Sequence, residues 1–282
     1  MGLATITKFL RNISGALGAL AVLAARAPAA LAEQAYDWQL GMQPAASAVR
    51  DRIDSLHHEL LVIITGITIF VLGLLLWVML RFNAKRNPTP AKITHNTVLE
   101  IAWTLVPVLI LVAIAIPSFR LLYFMDKAEK AEMTLKVTGH QWYWSYEYPD
   151  NGNVNFESRI VVDEKTNEPA GNPRLLQTDN PVYLPVGTTI KILVSGTDVI
   201  HSWFIPAFGV QEYSVIGRVN ESWVKIDREG TYYGQCNQIC GLNHPFMPIE
   251  IHAVSKQEFA AWVEKQKKAA EKDAGPATVA AR

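Results

Sequence analysis

The chain has 282 residues, with 26 basic and 26 acidic side chains and a formal net charge of zero. That length suffices for one soluble domain plus membrane segments, and the charge balance argues against a nucleic-acid binder. The charge is uneven, however: from His140 to Ala253 thirteen acids stand against seven basic residues, a net of −6, so a partner of that region is expected to be cationic.

The N-terminus, "MGLATITKFLRNISGALGALAVLAARAPAALAEQA", opens with Lys8 and Arg11. An apolar stretch follows from Ile13 to about Ala25, and Ala30-Leu31-Ala32 is a small-x-small cleavage pattern. Residues 1–32 therefore read as a signal peptide, with the mature chain starting near Glu33 and a periplasmic segment over 33–59. The alternative, an uncleaved anchor, needs a longer apolar run. Leu60 to Leu80 then carries no charge over 21 residues, and Ile101 to Phe119 is also uncharged. Each can span a bilayer as a helix, predicted at 60–80 and 99–124, and Pro107 is tolerable in a membrane helix. Neither run has a polar face, which excludes an amphipathic core helix.

The connecting loop, 81–98, holds Arg81, Lys85, Arg86 and Lys92 and no acid, whereas 33–59 carries five acids and two arginines. The positive-inside rule puts the loop in the cytoplasm and both mature ends outside. From Met133 to Val254, short β-branched and aromatic runs are punctuated by Gly, Pro, Asn and Asp, the signature of a β-sandwich or small barrel. Residues 256–273 return to helical spacing, and 274–282 form a tail.

Both cysteines fall in "YYGQCNQICGLNHPFMPIEI", residues 232–251. Outside the cytoplasm Cys236 and Cys240 could form a disulfide. The neighbours change that reading: His244 and Met247 follow closely, and His201 opens "HSWFIPAFG" upstream. Thiolate, imidazole and thioether together suit copper, whereas zinc would leave Met247 unexplained. A mononuclear blue copper site needs one cysteine, so the second thiol points to two copper ions bridged by both thiolates, each ion with one terminal histidine.

"HSWFIPAFGV" (201–210) and "YYGQCNQICGLNHPFMPI" (232–249) resemble subunit II of the haem–copper cytochrome c oxidases. So do "GHQWYWSYEYPD" at 139–150 and "LEIAWTLVPVLILVAIAIPSFRLLYFMD" at 99–126. The resemblance covers nearly all of 50–265 in the family's order. It implies a membrane α-helical hairpin carrying an all-β cupredoxin-like sandwich domain with a dinuclear CuA centre. It implies Cys236 and Cys240 as bridging thiolates, His201 and His244 as terminal ligands, Met247 as the weak ligand on one copper and the backbone carbonyl of Gln238 as that on the other. Trp142 becomes the tryptophan that receives the electron from cytochrome c, with Trp144 nearer copper. Glu100 becomes the mouth of a proton path; its plainer role is a solvated acid at a helix start, and both stay open. His95 is a second candidate in that region.

The implied protein is the electron-accepting subunit of a proton-pumping oxidase in a bacterial inner membrane. Its partners are subunits I and III, cytochrome c and membrane lipid, with no nucleic acid, and oxygen reduction takes place in subunit I. Two departures stand out. The family usually has glutamate at position 238, reaching a magnesium ion at the contact with subunit I; the neutral amide of Gln238 weakens that second metal site. The family usually reads "GVK.DA.PGR" where this chain has "GVQEYSVIGR", with Tyr213 replacing an aspartate. The expected docking residues are Glu147, Asp150, Glu157, Asp198 and Tyr213, forming a flatter, more apolar patch than usual. Three other readings share parts of this pattern: a copper-free quinol-oxidase subunit II, which the intact ligand set disfavours; a membrane-tethered binding module with a Cys236–Cys240 disulfide; and nitrous oxide reductase, which lacks a membrane hairpin.

Overall fold

The computed structural model describes residues 34–89, 91–126, 130–166 and 168–273. The expected signal peptide and the tail lie outside these residues. Helix α1 (Ala48–Arg81) and helix α2 (Thr97–Asp126) are both long and apolar enough to cross a membrane, and none of the residues in their apolar windows is buried. Outward-facing Leu, Ile and Val over that length form a surface suited to lipid or to another apolar face.

Helix α1 begins well before Leu60, where the apolar run starts. The reason is a cap and a docking contact. Ser47 is extended (φ −151°), and its Oγ accepts from Arg50 N at 3.1 Å while donating to Phe208 O at 2.7 Å. Ala46 N donates to Ala207 O at 2.9 Å, and Asp227 N donates to Ala46 O at 3.0 Å. The first polar turns of α1 thus lie against the β-domain. The end of α2 reaches the same place: Trp223 Nε1 donates to Phe124 O at 3.2 Å, and the Arg52 guanidinium sits 3.4 Å above the Phe124 ring. The helices are therefore antiparallel, with the end of α1 and the start of α2 away from the domain. A helix as long as α1 separates its two ends by roughly 50 Å.

The domain is a sandwich of two five-stranded sheets. Its strands are β1 (Met133–His140), β2 (Tyr143–Tyr148), β3 (Val154–Ser158), β4 (Val182–Pro185), β5 (Thr189–Gly196), β6 (His201–Ile205), β7 (Val210–Ser214), β8 (Asn220–Lys225), β9 (Gly230–Cys236) and β10 (Pro248–Val254). One sheet runs β3-β2-β1-β5-β8, the other β4-β10-β9-β6-β7. Only β1–β5 and β4–β10 pair in parallel among these neighbours. Alternation sets what each strand buries: Leu135 and Val137 from β1, Trp144, Tyr146 and Tyr148 from β2, and Ile190, Ile192 and Val194 from β5. Trp203, Ile205, Tyr232, Ile249 and Ile251 meet them from the second sheet. Helix α3 (Lys256–Asp273) closes one edge, burying Phe259 and Val263 and stacking Trp262 on Tyr183 at 5.0 Å.

The stretch "MTLKVTGHQWYWSYEY" is not one run but two strands. The chain turns at Gln141 and Trp142, and β1 and β2 pair from Lys136↔Glu147 to His140↔Tyr143. Trp142 therefore stands at a turn, at one end of the sheet.

Candidate metal centre

The sulfur and histidine side chains converge at the same end of the sandwich as Trp142. His201 opens β6, Cys236 ends β9, and Cys240, His244 and Met247 lie on the connection to β10. Backbone bonds hold that connection: Asn237 N to Ser202 O at 3.1 Å, Cys236 N to Met247 O at 3.3 Å, and His244 N to Gly241 O at 3.3 Å. A 3-10 turn over His244–Phe246 then returns the chain to β10.

The two sulfurs are 3.9 Å apart and unbonded, with both cysteines buried. Cys240 Sγ lies 3.5 Å from His244 Nδ1 and 3.6 Å from Met247 Sδ. Cys236 Sγ lies 3.3 Å from the carbonyl oxygen of Gln238. Among the described residues, His201, Cys236 and Cys240 form a buried group whose ligand atoms all lie within 4.8 Å of one another.

His201 is fully buried, and its two ring nitrogens differ in their partners. Nε2 meets Asp198 Oδ1 at 2.9 Å, whereas Nδ1 is buried without a hydrogen-bond partner. A carboxylate behind one nitrogen fixes the proton there and leaves the other nitrogen's lone pair for a metal. Asp198 is itself held: Oδ1 accepts from Val199 N at 2.7 Å and Oδ2 from Gln141 N at 2.6 Å. Burial works against its ionisation, but His201 and the two backbone donors hold its carboxyl below the usual carboxylate range. Burial likewise opposes the imidazolium of His201, yet Cys236 and Asp198 raise its pKa above the ordinary value. The two thiols separate. Burial opposes ionisation of Cys236, but His201 and backbone donors lower its pKa. Burial and the neighbouring Cys236 push Cys240 up to about 12.

An unpartnered imidazole nitrogen facing two sulfurs, with a thioether and a carbonyl oxygen beside them, fits a soft metal better than a polar core. The same arrangement keeps Met247 Sδ beside Cys240, which a zinc site of two Cys and two His would not need. Gln238 contributes its carbonyl here; its side chain is a neutral amide, a poor ligand for magnesium.

Both tryptophans touch the ligand loops. Trp144 is buried, edge-on to His201 at 5.9 Å between centroids, and its Nε1 donates to Met247 O at 3.3 Å. Trp142 is half-buried, and its Nε1 donates to Cys240 O at 3.2 Å. Gln141 Nε2 donates to the same oxygen at 2.9 Å. Gly241 makes this seat possible: it sits at φ +121°, and a Cβ there would come within 3.0 Å of Trp142 Cζ2.

The other expected residues are dispersed. Glu147 and Glu157 stand on the outer face of the first sheet, each paired with a cation. Asp150 lies at the far end of β2, roughly 20 Å along the strand from Trp142, where it accepts from Thr134 N at 2.7 Å. Tyr213 belongs to the other sheet, across from Ser202 and one residue from the partner of His201. The preceding residues, 210–212, line a hollow with Leu122, Met125 and Asp126 of α2. Glu100 is in the first turn of α2, at the helix end away from the domain. Sequence reasoning missed Gln141, Gly139 and Gly241, and treated Asp198 only as a docking acid. The spacing Asp198-x-x-His201 was the available signal, because an acid three residues before a ligand histidine can reach its outer nitrogen.

Comparison with known proteins agrees with this picture. Residues 133–254 match the family profile "Cytochrome C oxidase subunit II, periplasmic domain", and residues 35–121 match "Cytochrome C oxidase subunit II, transmembrane domain". The chain is 46% identical over 239 residues to the probable cytochrome c oxidase subunit 2 of Rickettsia bellii, covering 85% of this chain and 88% of that one. It is 42% identical over 277 residues to cytochrome c oxidase subunit 2 of Cereibacter sphaeroides, covering 92% and 91%. Among solved structures, the periplasmic domain of subunit II of the Bradyrhizobium japonicum cytochrome oxidase matches at 48% identity with a TM-score of 0.47, covering 51% of this chain and 99% of that one. The two apolar helices, the cupredoxin-like domain and these matches over most of the chain make this a membrane protein of the cytochrome c oxidase subunit II family.

Proposed function

We propose that this chain receives electrons from cytochrome c at a dinuclear copper centre and passes them to the haem of subunit I in a proton-pumping oxidase. The observation that carries the reading is the buried, unpartnered Nδ1 of His201 facing two thiol sulfurs, with Asp198 behind the other nitrogen. Cys236, Cys240, His201, His244, Met247 Sδ and the Gln238 carbonyl would hold the two copper ions. When bound, such a pair shares one electron over two ions, so bond lengths change little and transfer is fast.

The protein's own part is to hold and insulate. Asp198 keeps the His201 proton on Nε2, leaving Nδ1 as a donor. Trp144, buried and edge-on to His201, shields the imidazole from water. Trp142 connects the surface to the Cys240 carbonyl by one hydrogen bond, a short route inward for the electron. On this reading the helices sit in a bacterial inner membrane beside subunits I and III. The β-domain faces the periplasm, the basic 81–98 loop faces the cytoplasm, and residues 1–32 are a removed signal peptide. Glu100 then lies on the cytoplasmic side, where a proton path into subunit I would open.

Rapid mixing of the oxidase complex with reduced cytochrome c tests the electron-receiving role. Trp142→Phe should slow the first electron transfer by more than about tenfold while leaving copper content unchanged, since the indole supplies the contact to Cys240. An unchanged first phase would assign electron arrival to another surface.

A further inference from the structure

The outer face of the first sheet, leading away from Trp142, carries a layered stack. The Arg159 guanidinium lies 3.6 Å above the Tyr143 ring. His140 lies on Tyr143 as well, with ring centroids 4.5 Å apart and planes 5° from parallel. His140 is fixed in turn: Nε2 meets Ser145 Oγ at 2.9 Å and Nδ1 meets Thr197 Oγ1 at 3.0 Å. Burial lowers the pKa of His140 and disfavours its charged form. Tyr143 directly follows Trp142, so a fixed cation stands next to the proposed electron inlet.

That cation also holds an acid. Arg159 Nη2 pairs with Glu157 Oε2 at 2.7 Å. On the same face Lys136 Nζ pairs with Glu147 Oε1 at 2.9 Å. The register puts Glu157 across from Ser145, and Glu147 across from Lys136, so the two pairs follow one another along the sheet. Asp198, nearest Trp142, is committed to His201, Val199 N and Gln141 N. Charges 2.7 Å apart form a short dipole. Beyond a Debye length of about 8 Å at physiological salt, its field is nearly cancelled. The domain is net acidic, yet this face offers little field to steer a lysine ring.

We propose that the donor-binding face around Trp142 is electrically mixed, with Arg159 as its fixed cation, and that it takes a c-type cytochrome whose contact face sets a carboxylate opposite Arg159. This rests on Trp142 being the electron inlet. Orientation then comes from pairing at contact, and long-range attraction contributes less than in an all-acidic ring.

The test uses the intact oxidase complex and stopped-flow oxidation of two soluble cytochromes c, one with a lysine-rich face and one with an acidic face. Ionic strength is varied from about 0.01 to 0.15 M, over which the Debye length falls from roughly 30 to 8 Å. With the lysine-rich donor, the wild-type rate should fall by no more than about tenfold. Arg159→Ala exposes Glu157, and should raise the low-salt rate with that donor about threefold or more and steepen its salt dependence. With the acidic-faced donor the same variant should be slower than wild type, and Glu157→Gln should shift both donors the opposite way. The proposal is overturned if wild type already loses orders of magnitude with the lysine-rich donor, or if neither variant changes either salt dependence. A complex whose copper neither cytochrome reduces, though dithionite does, would instead overturn the electron-receiving role.

Discussion

Gly139 sets how closely the first sheet can approach His201. It lies at an inward position of β1, and a Cβ there would stand 2.6 Å from Ser214 Oγ, 2.8 Å from His201 Cδ2 and 3.0 Å from His201 Cγ. Ordinary contact begins near 3.4 Å, so Gly139→Ala requires the imidazole to move by several tenths of an ångström. It has no free direction: the residue is fully buried, and Nε2 is tied to Asp198 at 2.9 Å. Overpacking of this kind costs about 1–3 kcal/mol. The metal-free protein in detergent should therefore unfold at a lower urea midpoint with an unchanged slope. After copper loading, the paramagnetic resonance spectrum should lose the symmetry between the two ions, because only the histidine on this side is displaced. Unchanged stability together with an unchanged spectrum would refute the claim that Gly139 is required by His201.

Asp198→Ala removes the acceptor behind His201, and copper affinity should fall about 10–100-fold in a chelator competition, with Asp198→Glu recovering part of it. Gln238 leaves no carboxylate for a hard cation at the subunit contact. Oxidase from cells grown with excess manganese should therefore show no stoichiometric, chelator-resistant manganese signal, and such a signal would mean that another residue supplies the ligand. In the metal-free protein Cys240 is pushed up to about 12 from 9.0, so the folded state holds that proton longer than the unfolded chain does. Its contribution is complete below about pH 9 and is lost as pH rises toward 12, so the urea midpoint should drop between pH 9 and 11, and less so in Cys240→Ser.

The fold was legible where one signal dominated. The uncharged runs in α1 and α2, and the alternation through β1, β2 and β5, state their own burial. The polar start of α1 was not legible, because Arg50, Asp51, Arg52 and Asp54 look like solvated loop until Ser47 is seen bonded to Phe208. The ligand residues were visible as a rare combination of Cys, His and Met at close spacing. Their supports were not. Gln141, Gly139 and Gly241 act through contacts 60 to 100 positions away in the chain, and nothing local in the sequence announces such a partner. Tyr213 stays beside His201 because β7 pairs with β6, and that pairing puts both in the other sheet from Glu147 and Glu157, a separation that sequence proximity does not reveal.

On the proposed function, His201, Cys236, Cys240, His244 and Met247 hold two copper ions as one centre. Metal analysis combined with electron paramagnetic resonance of the purified, copper-loaded protein tests it most directly. Two copper ions per chain and a seven-line spectrum from one electron shared equally are expected, and Cys240→Ser should abolish that pattern. One copper per chain with a four-line spectrum, a stoichiometric zinc, or a seven-line spectrum that survives Cys240→Ser would contradict it.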